Sequence, residues 1–349
     1  MKKTTFAQAI NEALETALRI DNTVIKYGLG VTDPYGVFGT TKNLHKFSQD
    51  RVFDMPTAEN AMTGVAIGAA MGGLKPIMTH QRLDFFLLAM DQLVNNASKF
   101  YFMFGKQINL PITIRLIIGR GWGQGPTHSQ SLQAWFAHIP GLKVVMPTTV
   151  KDAKGLLLES IFDPNPVLFL EHRWLHNLEG EVEESDDFRV AIGKAEILKE
   201  GNDITIISMS YMSIEALHAI KELEKYNISC ELIDLKTISP IDWETIFKSI
   251  EKTQRVIVLD TSYEFGSIGN DIIAKISIEY FNKLKVAPKL IALPNIHSPT
   301  SYSLTKEYYK DAKNIIEEIS TIFNININLD NFNTGPHHDI PGDWFKGPF

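Results

Sequence analysis

Apolar runs of strand length alternate with segments of helical period along almost the whole chain. Residues 5–17 place Phe6, Ile10, Ala13 and Leu14 on one face, as an amphipathic helix does. Strand-like runs are expected at 23–27, 51–53, 76–78, 111–118, 142–145 and 167–170, with helices at 59–71 and 85–104 between them. Short strands separated by helices imply parallel sheets joined by crossover connections. Residues 177–189 are acidic and poor in apolar positions, which is a linker composition. A second alternation follows, with strands at 204–209, 229–235, 255–259 and 289–293 and helices at 213–226, 243–250, 268–281 and 305–323. The expectation is an α/β chain with one parallel-sheet domain at 1–180 and a second at 190–325. An irregular arm over 326–349, carrying Gly335-Pro336 and Pro341-Gly342, completes it.

Composition narrows the classes. A length of 349 residues suits two domains, and 44% hydrophobic residues are ample for packed cores. The net charge of −7, without a long run of Lys or Arg, makes nucleic acid a poor partner. No stretch has the length to cross a bilayer, and no apolar signal core follows Met1-Lys2-Lys3, so a membrane role is not expected. The single cysteine, Cys230, lies in an apolar strand-like run and reads as a buried small hydrophobe. One cysteine makes neither an internal disulfide nor a cysteine-based metal site, and a reducing cytoplasm fits best.

Three segments carry candidate chemistry. In the run from Asp54 through Pro56 to Glu59 and on to Met71, a strand ends, a proline breaks it and an acid opens a helix crowded with Gly and Ala. Read alone, Glu59 does no more than complement a helix N-terminus, and the small residues only allow close packing. A Gly-rich loop, Gly119-Arg120-Gly121-Trp122-Gly123-Gln124-Gly125, leads to His128, an arrangement that can bring backbone and imidazole to a small substrate. Asp163-Pro164-Asn165-Pro166 is a strong turn former. A dinucleotide fingerprint is absent after the first strand, because Gly28-Leu29-Gly30 is followed by Val31, Thr32 and Asp33.

Taken in order, these segments resemble the beta subunits of thiamine-diphosphate-dependent 2-oxo acid dehydrogenases, of the pyruvate dehydrogenase type. The resemblance runs through Ala89-Met90-Asp91-Gln92, Thr127-His128-Ser129-Gln130-Ser131, Ile139-Pro140-Gly141-Leu142 and Ile233-Asp234-Leu235-Lys236, and covers about residues 5 to 325. It implies a transketolase-like pyrimidine-binding domain followed by a transketolase C-terminal-like domain. It also implies thiamine diphosphate as cofactor, with Glu59 as the carboxyl that activates the pyrimidine, Phe85 as the aromatic packed on that ring and His128 as an active-site proton-transfer or hydrogen-bonding group. Ile112, Ser160, Ile161, Asp163 and Asn165 match the family's potassium site, whose oxygen ligands suit a hard cation. The magnesium-diphosphate signature, Gly-Asp-Gly, is absent. The resemblance therefore implies an alpha-type partner that holds Mg2+, a second beta subunit, and a lipoyl acyltransferase as a possible acceptor.

The chain departs from the family in two places. Leu29 and Gly30 stand where an acidic pair is usual, and His80 and Arg82 stand where apolar or small residues are usual. The second change points to a more polar or more acidic substrate than pyruvate, although an ion pair with Asp84 or a contact to the partner chain accounts for Arg82 as well. A split transketolase subunit and a non-catalytic assembly subunit remain open as alternatives.

Overall fold

The first helix is prepared by its own sequence. The Thr5 hydroxyl accepts from the Gln8 amide while the Gln8 side chain accepts from the Thr5 N–H, and this reciprocal cap opens the helix Phe6–Ile20. Thr149 and Asp152 repeat the arrangement at the helix Val150–Phe162, which packs against the first. The computed structural model describes residues 1–119 and 123–333. Arg120, Gly121 and Trp122 of the Gly-rich loop, and His337, His338 and the Gly-Pro and Pro-Gly turns of the arm, lie outside the described residues.

Fourteen strands form three sheets among the described residues. They are β1 (Lys2–Thr5), β2 (Val24–Gly28), β3 (Val52–Asp54), β4 (Lys75–His80), β5 (Thr113–Ile118), β6 (Lys143–Val145), β7 (Val167–His172), β8 (Glu179–Val182), β9 (Glu196–Lys199), β10 (Ile204–Ser208), β11 (Cys230–Asp234), β12 (Thr237–Ser239), β13 (Val256–Tyr263) and β14 (Lys289–Leu293). The larger sheet has the order β12-β6-β7-β5-β4-β2-β3 and is parallel except for β12. The second has the order β14-β13-β10-β11-β9, with only β9 antiparallel. Alternate residues of each strand enter opposite cores: Ile117 and Phe169 face the helix pair 6–20 and 150–162, while Leu116, Ile118, Leu168 and Leu170 face the other side. Burial on both faces is why these strands read as unbroken apolar runs.

Several expected elements differ. The stretch 177–189 contains β8, which pairs antiparallel with β1, so a segment of linker composition is partly sheet. The helix expected over 85–104 is broken into the short helices Leu83–Phe86 and Phe100–Met103, a tight turn at Leu87–Ala89 and a π-helical turn at Gln92–Ala97. A polar side chain competes with its backbone: Ser98 Oγ donates to the Val94 carbonyl at 2.8 Å. The helix expected over 305–323 is divided into Tyr302–Tyr308 and Ala312–Phe323, the latter capped by Asp311.

The two halves are joined by more than a linker. β12, from the second half, adds to the edge of the first sheet. Thr148 Oγ1 donates to Asp234 at 2.9 Å, and Gln133 Nε2 donates to Asp260 at 2.7 Å. Trp174 meets Tyr211 and Tyr309 edge to face, with ring centroids 4.9 and 5.1 Å away. Cys230 is buried, and burial pushes its thiol up to about 12, so it packs as an inert apolar group. No helix among the described residues is long and apolar enough to cross a membrane.

Candidate active site

In a parallel sheet, the groove for a ligand opens at the carboxyl ends of the strands. Here β3 ends just before Glu59, β4 ends at His80 and runs on into Arg82 and Phe85, and β5 runs out at Gly119 ahead of His128. Sheet topology thus brings to one edge the residues singled out in the sequence for cofactor and substrate. Close approach of the backbones shapes this edge: a Cβ on Gly28 would lie 2.3 Å from the Thr79 carbonyl oxygen.

Glu59 is the first residue of the helix Glu59–Met71, whose N-cap, Ala58, supplies no side-chain hydrogen bond. The unsatisfied N–H groups of that helix start give a carboxylate a favourable field. Glu59 is 4% exposed, and its carbonyl accepts from Thr63 Oγ1 at 2.8 Å. Among the described residues, no hydrogen bond engages its carboxyl group. The helix rests on β4 and on the segment 87–97. From β2, Tyr27 donates to the Met62 carbonyl at 3.0 Å and so fixes the helix from the other side.

Phe85 and His128 meet directly, edge to face, with centroids 5.3 Å apart. Asp84 holds the two segments together by accepting from Gln130 Nε2 at 2.9 Å, and Thr127 Oγ1 lies 2.8 Å from His128 Nδ1. At Gly30, a Cβ would lie 2.6 Å from Gln81 Nε2 and 3.0 Å from an Asp33 carboxylate oxygen. Gln81 also donates to the Leu29 carbonyl at 3.1 Å. Side chains from neighbouring segments therefore occupy the space beside Leu29 and Gly30. The sequence reading missed Gln81, whose single sign is its place one residue beyond β4.

His80 and Arg82 are both buried. Burial, reinforced by Lys26, lowers His80 to about 3; it is neutral, tilted against Phe86 at 4.9 Å, and among the described residues neither ring nitrogen has a hydrogen-bond partner. Arg82 donates from Nη1 to the Gly119 carbonyl at 2.5 Å. Burial and then the neighbouring Arg173 lower its guanidinium to about 10. Phe38 lies 5.5 Å from the Arg82 guanidinium and 4.6 Å from that of Arg173. His172 and Arg173, at the end of β7, were not singled out in the sequence, although a His-Arg pair closing an apolar strand is a usable signal.

The residues matched to potassium lie elsewhere. Ile112 precedes β5, and Ser160, Ile161, Asp163 and Asn165 precede β7, which places them at the amino edge of the sheet, opposite Glu59. The Ser160 carbonyl already accepts from Thr113 Oγ1 at 3.0 Å, the Ile112 carbonyl accepts from the Val167 N–H at 2.9 Å, and Lys143 pairs with Asp163. Asn165 Oδ1 is buried without a partner among the described residues, an oxygen of the type a hard cation takes. No cluster of three or more His, Cys, Asp or Glu side chains able to hold a metal occurs among the described residues.

Comparison with known proteins gives the same architecture. Residues 2–177 match the family "Transketolase, pyrimidine binding domain" and residues 193–315 match "Transketolase, C-terminal domain". The beta subunit of acetoin:2,6-dichlorophenolindophenol oxidoreductase of Cupriavidus necator is 39% identical over 316 residues, covering 88% of this chain and 93% of that protein. The pyruvate dehydrogenase E1 component subunit beta of Bacillus subtilis is 36% identical over 324 residues, covering 91% of this chain and 100% of that protein. A solved split-gene transketolase, an inactive beta4 tetramer, superposes with a TM-score of 0.75 at 21% identity over 92% of this chain and 98% of its own, a likeness of fold. The chain belongs to the transketolase-type family that contains the E1 and acetoin beta subunits.

Proposed function

We propose that this member of the E1-type beta-subunit family works in a heteromeric, thiamine-diphosphate-dependent 2-oxo acid dehydrogenase and supplies the carboxyl group that activates the cofactor. The observation that carries the reading is Glu59, a buried acid at an uncapped helix start with its carboxyl unengaged among the described residues. Thiamine diphosphate, when bound, would supply carbanion chemistry towards the carbonyl of a 2-oxo acid and an electron sink for decarboxylation. Glu59 is suited to hold a proton opposite a pyrimidine ring nitrogen, and Phe85 to lie against the ring face. His128 is suited to donate to, or take a proton from, the substrate. In this reading the diphosphate and Mg2+ are held by an alpha-type subunit, because the chain has no Gly-Asp-Gly. A second beta subunit completes the assembly, a lipoyl acyltransferase is an acceptor for the product, and the cytoplasm is its place. Potassium at Ile112, Ser160, Ile161, Asp163 and Asn165 would act on the fold from the far edge of the sheet rather than on the reaction.

The relatives named for acetoin favour a second reading, in which a neutral hydroxyketone replaces the 2-oxo acid. Reconstitution tests both. The chain is combined with its alpha-type partner, thiamine diphosphate and Mg2+, and pyruvate and acetoin are compared with a dye acceptor. Turnover of pyruvate, lost by about a hundredfold or more in Glu59→Gln with assembly intact, is the expected result. Turnover of acetoin alone supports the second reading. Turnover independent of Glu59 would overturn the proposed role of this residue.

A further inference from the structure

Of the buried arginines at the large sheet, Arg82 and Arg115 invite comparison. Arg115, on β5, is fully buried and saturated: it ion-pairs with Glu171 at 2.7 Å and donates to Thr40 at 2.9 Å and Thr79 at 3.3 Å. Arg82 is 2% exposed, yet among the described residues only Nη1 has a partner, the Gly119 carbonyl, while Nε and Nη2 have none. Two residues on, Asp84 keeps one oxygen on Gln130 and leaves Oδ2 buried without a partner among the described residues. A guanidinium placed for structure alone uses its fork of donors, as Arg115 does. A buried cation with two open donors and no carboxylate in ion-pairing range among the described residues is costly to maintain, unless a ligand completes it.

We propose that Arg82 is a specificity-determining residue that receives a second anionic group, carboxylate or phosphate, on the tail of the 2-oxo acid. The inference rests on the proposed 2-oxo acid chemistry and deepens it. Its place fits: the Arg82 guanidinium is fastened to the end of β5, and Phe85, three residues along the chain, touches His128, so a tail directed at Arg82 leaves the reacting carbonyl on the Glu59 and His128 side.

The reconstituted complex is assayed with 2-oxoglutarate and 3-phosphohydroxypyruvate, which carry the second anion as carboxylate and as phosphate. 2-Oxohexanoate, of similar length without the second anion, is the control. The wild-type complex is expected to favour one of the two dianions over the control in kcat/KM by roughly tenfold to a hundredfold, the discrimination a charge-assisted hydrogen bond gives. In Arg82→Met that ratio collapses towards one, and in Arg82→Lys part of it returns. A wild-type ratio near one, or a ratio unmoved in Arg82→Met, would overturn the proposal. Should Arg82→Met fail to assemble, the wild-type ratio and the rise in melting temperature given by each dianion relative to 2-oxohexanoate decide. Turnover of the control without dianion preference leaves the 2-oxo acid reading standing, whereas no turnover of any 2-oxo acid, pyruvate included, removes that reading as well.

Discussion

The Phe85 and His128 rings stand edge to face at 87°, 5.3 Å apart, although 42 positions (128 minus 85, less one) separate them in the chain. Such a contact is worth about 0.5–1.5 kcal/mol beyond burial, enough to hold an imidazole in one orientation. Phe85→Leu keeps the bulk and removes the aromatic face. It is expected to lower kcat by about tenfold through a misplaced imidazole, whereas His128→Ala lowers it by about a hundredfold. Steady-state kinetics of the reconstituted complex check both. Equal losses in the two variants would mean that the contact of Phe85 with the cofactor ring outweighs its orienting of His128.

The Arg115–Glu171 pair should dominate the stability of the large sheet. Both side chains are fully buried. Burial alone would raise the Glu171 carboxyl, but Arg115 and then His176 outweigh it and leave it below its ordinary value. Glu171→Gln leaves an uncompensated guanidinium and is expected to cost about 3–5 kcal/mol in urea unfolding. A loss below about 1 kcal/mol would show that Thr40 and Thr79 suffice to hold Arg115.

Acid should destabilise the fold earlier than its carboxylates alone would dictate. Burial lowers His80 to about 3 and His176 to about 4, so both are neutral in the folded chain. Between about pH 6.5 and those values the unfolded chain binds more protons than the folded one. Stability therefore falls as pH falls, by up to about 1.4 kcal/mol per pH unit for each histidine. His80→Phe, beside Phe86, should make the acid limb shallower when melting temperature is followed from about pH 7 to pH 4.5. An unchanged limb would mean that His80 titrates alike in both states.

Potassium, if it occupies the turn before β7, should act on stability first. The orphaned Asn165 Oδ1 motivates the test. Exchanging potassium for tetramethylammonium is expected to lower the melting temperature by a few degrees, and Asn165→Ala to abolish the difference. Identical melting curves in the two salts would remove the cation from this turn.

The alternation of apolar runs and helical periods was enough to read the α/β class and most of the strands, because strands buried on both faces can hardly be anything but apolar. Glu59 was legible as the acid behind a proline at a helix start, and Gly30 as a position without the usual acid. Other features were decided by contacts between residues distant in the chain. β8 forms inside a polar segment because β1 offers its edge, and β12 joins the first sheet because Lys236, with a left-handed φ of 52°, turns the chain towards Met146. The helix expected over 85–104 breaks because local propensity loses to side-chain hydrogen bonds and to packing beneath the helix Glu59–Met71. The difference between Arg82 and Arg115 is tertiary too. One sits inside an apolar run and the other just past one, and only the fold gives Arg115 a carboxylate and leaves Arg82 with two unpaired donors among the described residues.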